Sequence, residues 1–137
     1  MKYLLDTNVV SEVRKPNGNT NVLAWFDDVD GNDLFLSVLV VGEIRNGIER
    51  LRRRDADRSV EYEVWLTALK RQYRERILRI DSEIAEAWGH INALRSLPVV
   101  DGLLAATALQ HGLTMVTRNA KDFVDTGVNV LDPFADR

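Results

Sequence analysis

Short apolar runs that end directly in polar side chains are the feature that most restricts how this chain can fold. The run Tyr3–Leu5 is followed at once by Asp6, Thr7 and Asn8. A continuous apolar run of this kind is typical of a strand that is buried on both faces of a parallel sheet. Ligands of open α/β sheets bind beyond the carboxyl ends of such strands. Asp6 is therefore expected at a ligand-facing edge, unless its carboxylate only closes a local turn.

Further apolar runs alternate with segments of helical periodicity. They predict strands at residues 34–36, 77–80, 113–116 and 128–131. Ser37 is expected to cap one intervening helix and Asp101 another, while residues 50–58 are expected to form the corner between two helices. Because strands and helices alternate, we expect a single α/β domain over residues 1–137. Its mostly parallel five-stranded sheet would be flanked by helices joined through right-handed crossovers.

Composition excludes several classes of protein. The chain has 137 residues and no cysteine, so it contains neither disulfides nor thiolate metal sites. No apolar run approaches the roughly 20 residues that are needed to span a bilayer. Met1 and Lys2 lead directly into strand-like sequence without the pattern of a signal peptide. We therefore expect a cytoplasmic protein with no membrane partner.

Charge is distributed unevenly along the chain. The net charge is −3, but residues 45–79 hold 11 Lys and Arg against 6 Asp and Glu, while the remainder holds 7 against 15. A basic arm on an acidic domain suits a polyanion, since phosphate contacts supply much of the affinity for nucleic acids. Alternatively, the interleaved glutamates indicate a solvated helical hairpin. The basic residues considered for binding are Arg45, Arg50, Arg52, Arg53 and Arg54.

Acidic and amide side chains recur at strand ends or at helix starts beside them. They are Asp6, Glu43, Asp101, and either Asn119 or Asp122. Each has a plainer structural alternative: Glu43 can pair with an arginine at the rim of its helix, and Asp101 can serve as a helix cap. If they share one pocket, however, the carboxylates repel one another unless protons or cations intervene.

An all-oxygen set of side chains selects a hard divalent cation such as Mg²⁺ or Mn²⁺. Carboxylate-held metal ions suit attack on a phosphodiester. The sequence contains no Ser-His-Asp, Cys-His, HExxH, Walker or GxGxxG pattern that would support another chemistry.

Four motifs, in order and spacing along the whole chain, closely resemble the PIN-domain family, and within it the VapC/FitB-type toxins of bacterial toxin–antitoxin pairs. They are LLDTNVVSE at residues 4–12, GEIRNG at 42–47, DGLLAATA at 101–108 and TRN at 117–119. The resemblance implies a three-layer αβα fold and an endoribonuclease that depends on Mg²⁺ or Mn²⁺. It also implies a homodimer, a cognate antitoxin that blocks the toxin, and a larger assembly on operator DNA.

The resemblance assigns roles to individual residues. Asp6, Glu43 and Asp101 match the acidic metal-binding positions of the family. Many relatives have Asp directly after Thr-Arg, where this chain has Asn119, so either Asp122 substitutes or a second metal ion is weakly held. Thr7, Asn8 and Thr117 would orient the carboxylates through hydrogen bonds. Arg45, Arg50, Arg52, Arg53 and Arg54 would contact RNA or the antitoxin.

The sequence thus predicts a metal-dependent endoribonuclease that acts as the toxin of a toxin–antitoxin pair. One alternative is a regulatory subunit with a weak or silent nuclease site that acts with its antitoxin on operator DNA; Asn119 favours this alternative. Another is a phosphatase of the haloacid dehalogenase kind. That class requires a second Asp two residues after the first, a position held here by Asn8, and we rank it far below the others.

Overall fold

A computed structural model describes residues 1–136, which form an α/β fold of five strands and six α-helices. In chain order the elements are β1 (Tyr3–Leu5), α1 (Thr7–Arg14), α2 (Thr20–Asp28), β2 (Leu34–Ser37), α3 (Val38–Arg54), α4 (Ala56–Gln72), β3 (Ile77–Leu78), α5 (Ser82–Leu94), α6 (Val99–His111), β4 (Thr114–Val116) and β5 (Val130–Leu131). Short 3-10 turns occupy Gly31–Asp33, Arg74–Arg76 and Ala120–Phe123.

The sheet has the strand order β3-β2-β1-β4-β5, and every neighbouring pair is parallel. The predicted parallel sheet is therefore confirmed. From β1 the chain moves outward through β2 to β3 and then returns to the other side of β1 to form β4. The order of strands thus reverses between β1 and β4, and ligands of open α/β sheets bind at such a switch point.

Helices cover both faces of the sheet. Since crossovers between parallel strands are right-handed, α1 to α4 lie on one face, and α5 and α6 lie on the other. The most extensive helix contacts are those of α3 with α4 and of α5 with α6. The core between the layers is built from the strands and the apolar faces of the helices; Leu4, Leu36 and Met115 are completely buried. Within residues 1–136, no helix is both long and apolar enough to cross a membrane.

Two local expectations were wrong. The corner between α3 and α4 does not extend over residues 50–58 but is the single residue Asp55, which ends one helix and begins the next. Its Oδ1 accepts a hydrogen bond from the backbone N–H of Arg58 at 3.1 Å, so one carboxylate caps the second helix. Asp101 does not cap α6, because Pro98 stands at the cap and the helix begins at Val99, which places Asp101 in the first turn.

Candidate active site

Asp6 follows β1 at the centre of the sheet and is 7% exposed. Its backbone N–H donates to the carbonyl of Val116 at 2.9 Å, which extends the pairing of β1 with β4 by one residue. Its Oδ1 accepts a hydrogen bond from the backbone N–H of Thr7 at 2.7 Å and so caps α1. This local bond goes to the next residue rather than two residues on, as the predicted Asx turn would require, and it uses only one of the two carboxylate oxygens.

Thr117 follows β4 and holds the second oxygen of Asp6. Its hydroxyl donates to Oδ2 of Asp6 at 2.8 Å and accepts from the backbone N–H of Asn119 at 3.1 Å. Asn8 lies on the other side, with Nδ2 at 3.4 Å from the same Oδ2 and Oδ1 accepting from the backbone N–H of Arg118 at 3.3 Å. These contacts join the start of α1 to the loop after β4 and hold the Asp6 carboxylate between them.

Glu43 reaches the same edge from α3. The helix starts where Ser37 ends β2, and the Ser37 hydroxyl caps it by accepting from the backbone N–H of Leu39 at 3.0 Å. The hydroxyl of Thr7 donates to Oε1 of Glu43 at 2.6 Å. Thr7 therefore couples two acidic residues: its backbone binds Asp6 and its side chain binds Glu43. The predicted arginine partner for Glu43 is absent from residues 1–136.

The electrostatics of the site show that Asp101 faces the other acidic groups. Burial raises the pKa of Asp101, and the charges of Asp6, Glu43 and Asp122 raise it further. Burial also raises the pKa of Asp6 in spite of the hydrogen bonds from Thr117 and Thr7, and the charge of Glu43 adds to the increase. The fold therefore brings the four carboxylates into one electrostatic field, where each additional negative charge costs free energy.

Asn119 and Asp122 both lie on the exposed segment after β4. Asp122 belongs to the 3-10 turn at Ala120–Phe123, and its negative charge acts on Asp101. Asn119 precedes that turn, and its contacts within the site are made by its backbone. Asn119 and Asp122 were the two residues considered for the fourth acidic position. Only Asp122 adds a negative charge near the other three carboxylates.

The donor set suits a hard cation, because every side chain facing the site offers carboxylate, amide or hydroxyl oxygen. No group of three or more His, Cys, Asp and Glu side chains in residues 1–136 is close enough to hold one ion as a complete protein cage. Mg²⁺ does not require such a cage, since it commonly binds through one or two carboxylates and keeps several waters. Burial, and to a smaller extent the neighbouring carboxylates, raises the pKa of Asp6 and of Asp101, and a divalent cation bound there would favour their ionised forms instead.

A groove of about 300 Å³ extends from the site between α1, α3 and α4. Thr7, Ser11 and Glu43 line its acidic end, and Arg54 and Arg58 line its basic part. Its other lining residues are Ile44, Gly47, Ile48, Leu51, Tyr62 and Trp65. Sequence reasoning missed Arg58 because the residue was assigned to a corner, whereas it stands in the first turn of α4 and points into the groove.

Two residues of the basic arm are bound within the hairpin of α3 and α4. Arg45 forms a two-pronged ion pair with Glu63, with Nη1 and Nη2 at 2.7 and 2.6 Å from the two carboxylate oxygens. Arg52 contacts the same Glu63 at 3.0 Å, and both arginines contact Glu49. These cations lower the pKa of Glu63 to about 2. The ion pairs of residues 1–136 do not include Arg50, Arg53 or Arg54.

The sequence of this chain is similar to a known protein family and to several of its members. The family model described as PIN domain matches residues 3–129. The chain is 34% identical over 138 residues to Toxin FitB of Neisseria gonorrhoeae, covering 97% of this chain and 99% of FitB. It is 32% identical over 140 residues to VapC ribonuclease Y4jK of Sinorhizobium fredii, covering 96% of each chain.

Two solved structures share the fold. FitAcB from Neisseria gonorrhoeae superposes with a TM-score of 0.86 at 34% identity, over 96% of this chain and 98% of that one. FitAB bound to an IR36 DNA fragment superposes with a TM-score of 0.85 at 31% identity, over 98% of this chain and 97% of that one. Both the sequence and the arrangement of strands and helices agree along nearly the full length, and the chain therefore belongs to the PIN-domain family.

Proposed function

We propose that this protein is an endoribonuclease that depends on Mg²⁺ or Mn²⁺ and acts as the toxin of a toxin–antitoxin pair. The observation that carries the proposal is the position of Asp101 at the switch point of the sheet, where burial raises its pKa and the nearby charges of Asp6, Glu43 and Asp122 raise it further. Such mutual repulsion is costly in a purely structural cluster, and a bound cation removes it. The relatives support the class of reaction, since one of them is a VapC ribonuclease.

In this proposal Asp6 and Asp101 hold the cation, and Glu43 is either a direct ligand or the acceptor that orients a bound water. A cation held there would supply Lewis-acid chemistry for attack of water on a phosphodiester. Thr117 and Asn8 hold Asp6 in one orientation, and Thr7 does the same for Glu43. Removal of a hydrogen-bonding partner of this kind typically weakens metal binding by about 10- to 100-fold.

The fourth acidic position is filled by Asp122 in this proposal. Its charge already acts on Asp101, whereas the Asn119 side chain brings no charge and serves at most as a hydrogen-bonding partner for bound water or substrate. Asp122 lies on an exposed turn, so it would bind a cation less firmly than the buried Asp6. The proposal therefore places the more firmly held cation at Asp6 rather than at Asp122.

The partners in the proposal are an RNA substrate, a cognate antitoxin, and a second copy of the chain in a homodimer, with the antitoxin complex assembling on operator DNA. The relatives support the antitoxin and the operator DNA: FitB is named a toxin, and FitAB has been solved on a DNA fragment. Arg54 and Arg58 line the groove beside the site and are the cations best placed for RNA or for the antitoxin. Arg45 and Arg52 instead hold the α3–α4 hairpin together through Glu49 and Glu63.

A second candidate function is the regulatory subunit whose own nuclease site is weak or silent. The observation in its favour is Asn119, which leaves one acidic position of the family without a charge. Expression of the chain without its partner distinguishes the two functions: toxicity that disappears in Asp101→Ala argues for the nuclease. Growth that is unaffected by the wild-type chain argues for the regulatory subunit.

Cleavage of RNA by the purified protein tests the proposed reaction. We expect Mg²⁺ or Mn²⁺ to support cleavage of a mixed RNA pool and a chelator to abolish it. Asp6→Asn should reduce the rate at least about 100-fold, because Asn keeps the cap of α1 but removes a charged ligand. Asp27→Asn, an exposed position on α2, is the matched control and should cleave at the wild-type rate. Undiminished cleavage by Asp6→Asn would overturn the assignment.

A further inference from the structure

The helices α5 and α6 are in close contact where Trp88 meets Gly102. Gly102 is buried, and a Cβ atom at this position would lie 2.8 Å from Cδ1 and 2.9 Å from Nε1 of the Trp88 indole. Carbon atoms in ordinary contact stand about 3.5–4.0 Å apart. Any residue larger than glycine would therefore force α6 away from the indole or force the indole out of its place. Gly102 has ordinary helical backbone, so the need for glycine here comes from the close approach.

The indole N–H group of Trp88 is also unusual, because buried polar groups normally form hydrogen bonds. Nε1 of Trp88 is buried and has no hydrogen-bond partner, the only such side-chain atom within residues 1–136. An unsatisfied buried donor costs free energy, and such exceptions in native structures ask for an explanation. The contact with Gly102 explains the unpaired N–H group. The edge of the indole that carries Nε1 is the part that lies against Gly102.

Gly102 directly follows Asp101 in the first turn of α6. Unlike Asp6 and Glu43, whose carboxylates are held by Thr117 and Thr7, the Asp101 carboxylate has no hydrogen bond or ion pair to any residue in the described part of the chain. The position of Asp101 therefore depends on where the first turn of α6 lies. That turn is seated against α5 at the contact between Trp88 and Gly102.

We propose that Trp88 is a positioning residue for Asp101, acting through its contact with Gly102. The inference rests on the proposed function, in which Asp101 holds the cation. The indole edge sets the distance of α6 from α5 at the turn that carries Asp101, and glycine at position 102 permits the closest approach. A displacement of about 1 Å at a catalytic group is sufficient to reduce a rate about 100-fold.

The experiment compares Gly102→Ala, Trp88→Leu and the double variant, with Gly89→Ala as the control. Gly89 lies on α5, is exposed, and has open space where a Cβ would stand. The control therefore makes the same chemical change at a helical position that has no close contact. The measurements are kcat and KM for RNA, the affinity for Mn²⁺ by calorimetry, and the thermal unfolding of the chelated protein.

We expect Gly102→Ala to lower kcat by 10- to 100-fold, to leave KM within about threefold, and to weaken Mn²⁺ binding about tenfold in protein that remains folded. In the Trp88→Leu background the same change should alter kcat by less than about threefold, because the clash is gone. Gly89→Ala should behave as wild type. A wild-type kcat in Gly102→Ala, or an equal loss in both backgrounds, would overturn the inference.

Three further results separate the possible failures. If Gly102→Ala does not fold, Trp88→Leu alone decides: loss of the indole should lower kcat at least about tenfold with KM unchanged, and a wild-type kcat would overturn the positioning role. If Asp101→Asn cleaves RNA normally, the proposed function itself fails. If Asp101→Asn is inactive while Gly102→Ala matches wild type, only the role of Trp88 fails.

Discussion

The hydroxyl of Thr117 donates a hydrogen bond to Oδ2 of Asp6 at 2.8 Å, and both residues are buried. The contact joins the ends of β4 and β1, the two strands between which the order of the sheet reverses. It lowers the pKa of Asp6 against the larger effect of burial, which raises it. Thr117 therefore helps to keep a buried carboxylate ionised and oriented at the switch point.

Removing that hydroxyl should weaken the site without dismantling the fold. Thr117→Val keeps the shape of the side chain and removes the donor, so we expect the affinity for Mn²⁺ to fall by about 10- to 100-fold and the free energy of unfolding to fall by about 1–3 kcal/mol. Calorimetry and thermal unfolding measure the two effects. Thr107→Val is the control, since its buried hydroxyl bonds only to the carbonyl of Leu103 within α6. Unchanged Mn²⁺ affinity in Thr117→Val would contradict the role of the hydroxyl.

The raised pKa of Asp101 makes the stability of the metal-free protein depend on pH. A carboxyl group whose folded pKa is raised contributes stability below its ordinary pKa of 3.8, and it loses this contribution as the pH rises through the folded pKa. Asp101→Asn cannot ionise at this position. The Tm of Asp101→Asn minus that of wild type, measured in chelator, should therefore increase between pH of about 4 and about 7.

Other carboxylates also make stability depend on pH, but in the opposite direction. Their contributions cancel when the Tm of the wild type is subtracted from that of the variant. Glu49 and Glu63 have lowered pKa values, so their ion pairs lose stability only as the pH falls, and they are equal in both proteins. Saturating Mg²⁺ should reduce the difference in Tm at neutral pH, because the cation stabilises the wild type. A difference that does not change with pH would show that neither burial nor the acidic neighbours raise the pKa of Asp101.

Asp122 rather than Asn119 should influence cation binding. Asp122→Asn removes a charge that acts on Asp101, and we expect the affinity for Mn²⁺ to fall by about 3- to 10-fold, since an exposed carboxylate interacts through a screened field. Asn119→Ala should change the affinity by less than twofold. Titration of Mn²⁺ into the three proteins measures this. A larger loss of Mn²⁺ affinity in Asn119→Ala than in Asp122→Asn would assign the fourth position to Asn119.

The salt dependence of RNA binding should distinguish the two parts of the basic arm. Each phosphate contact on a single strand contributes about 0.7 to the slope of log K against log salt. Arg54→Gln and Arg58→Gln should each reduce the slope by about that amount if the groove holds RNA. Arg45→Gln should leave the slope unchanged, because Arg45 is paired with Glu63. Equal slopes in all variants would assign the groove to the antitoxin or to solvent.

The ion pairs of Arg45 show where sequence reasoning reached its limit. The contact of Arg45 with Glu49 follows from helical spacing of four residues and could be read from the sequence. The contact with Glu63 crosses from α3 to α4, and it exists because the corner between them is the single residue Asp55. Composition therefore predicted one continuous basic arm. In the structure, two of its arginines, Arg45 and Arg52, instead form ion pairs within the α3–α4 hairpin.

The sequence by itself determined which segments become strands and helices and which polar side chains follow them. Continuous apolar runs, caps such as Ser37, and the glycine in left-handed conformation at Gly112 after α6 act over a few residues, so the local pattern carries them. Tertiary structure alone decided which side chains meet. Thr117 reaches Asp6 across 111 positions of sequence, and Trp88 lies against Gly102 from another helix. Such contacts depend on strand order and helix packing at the scale of single ångströms, and no local periodicity records these distances.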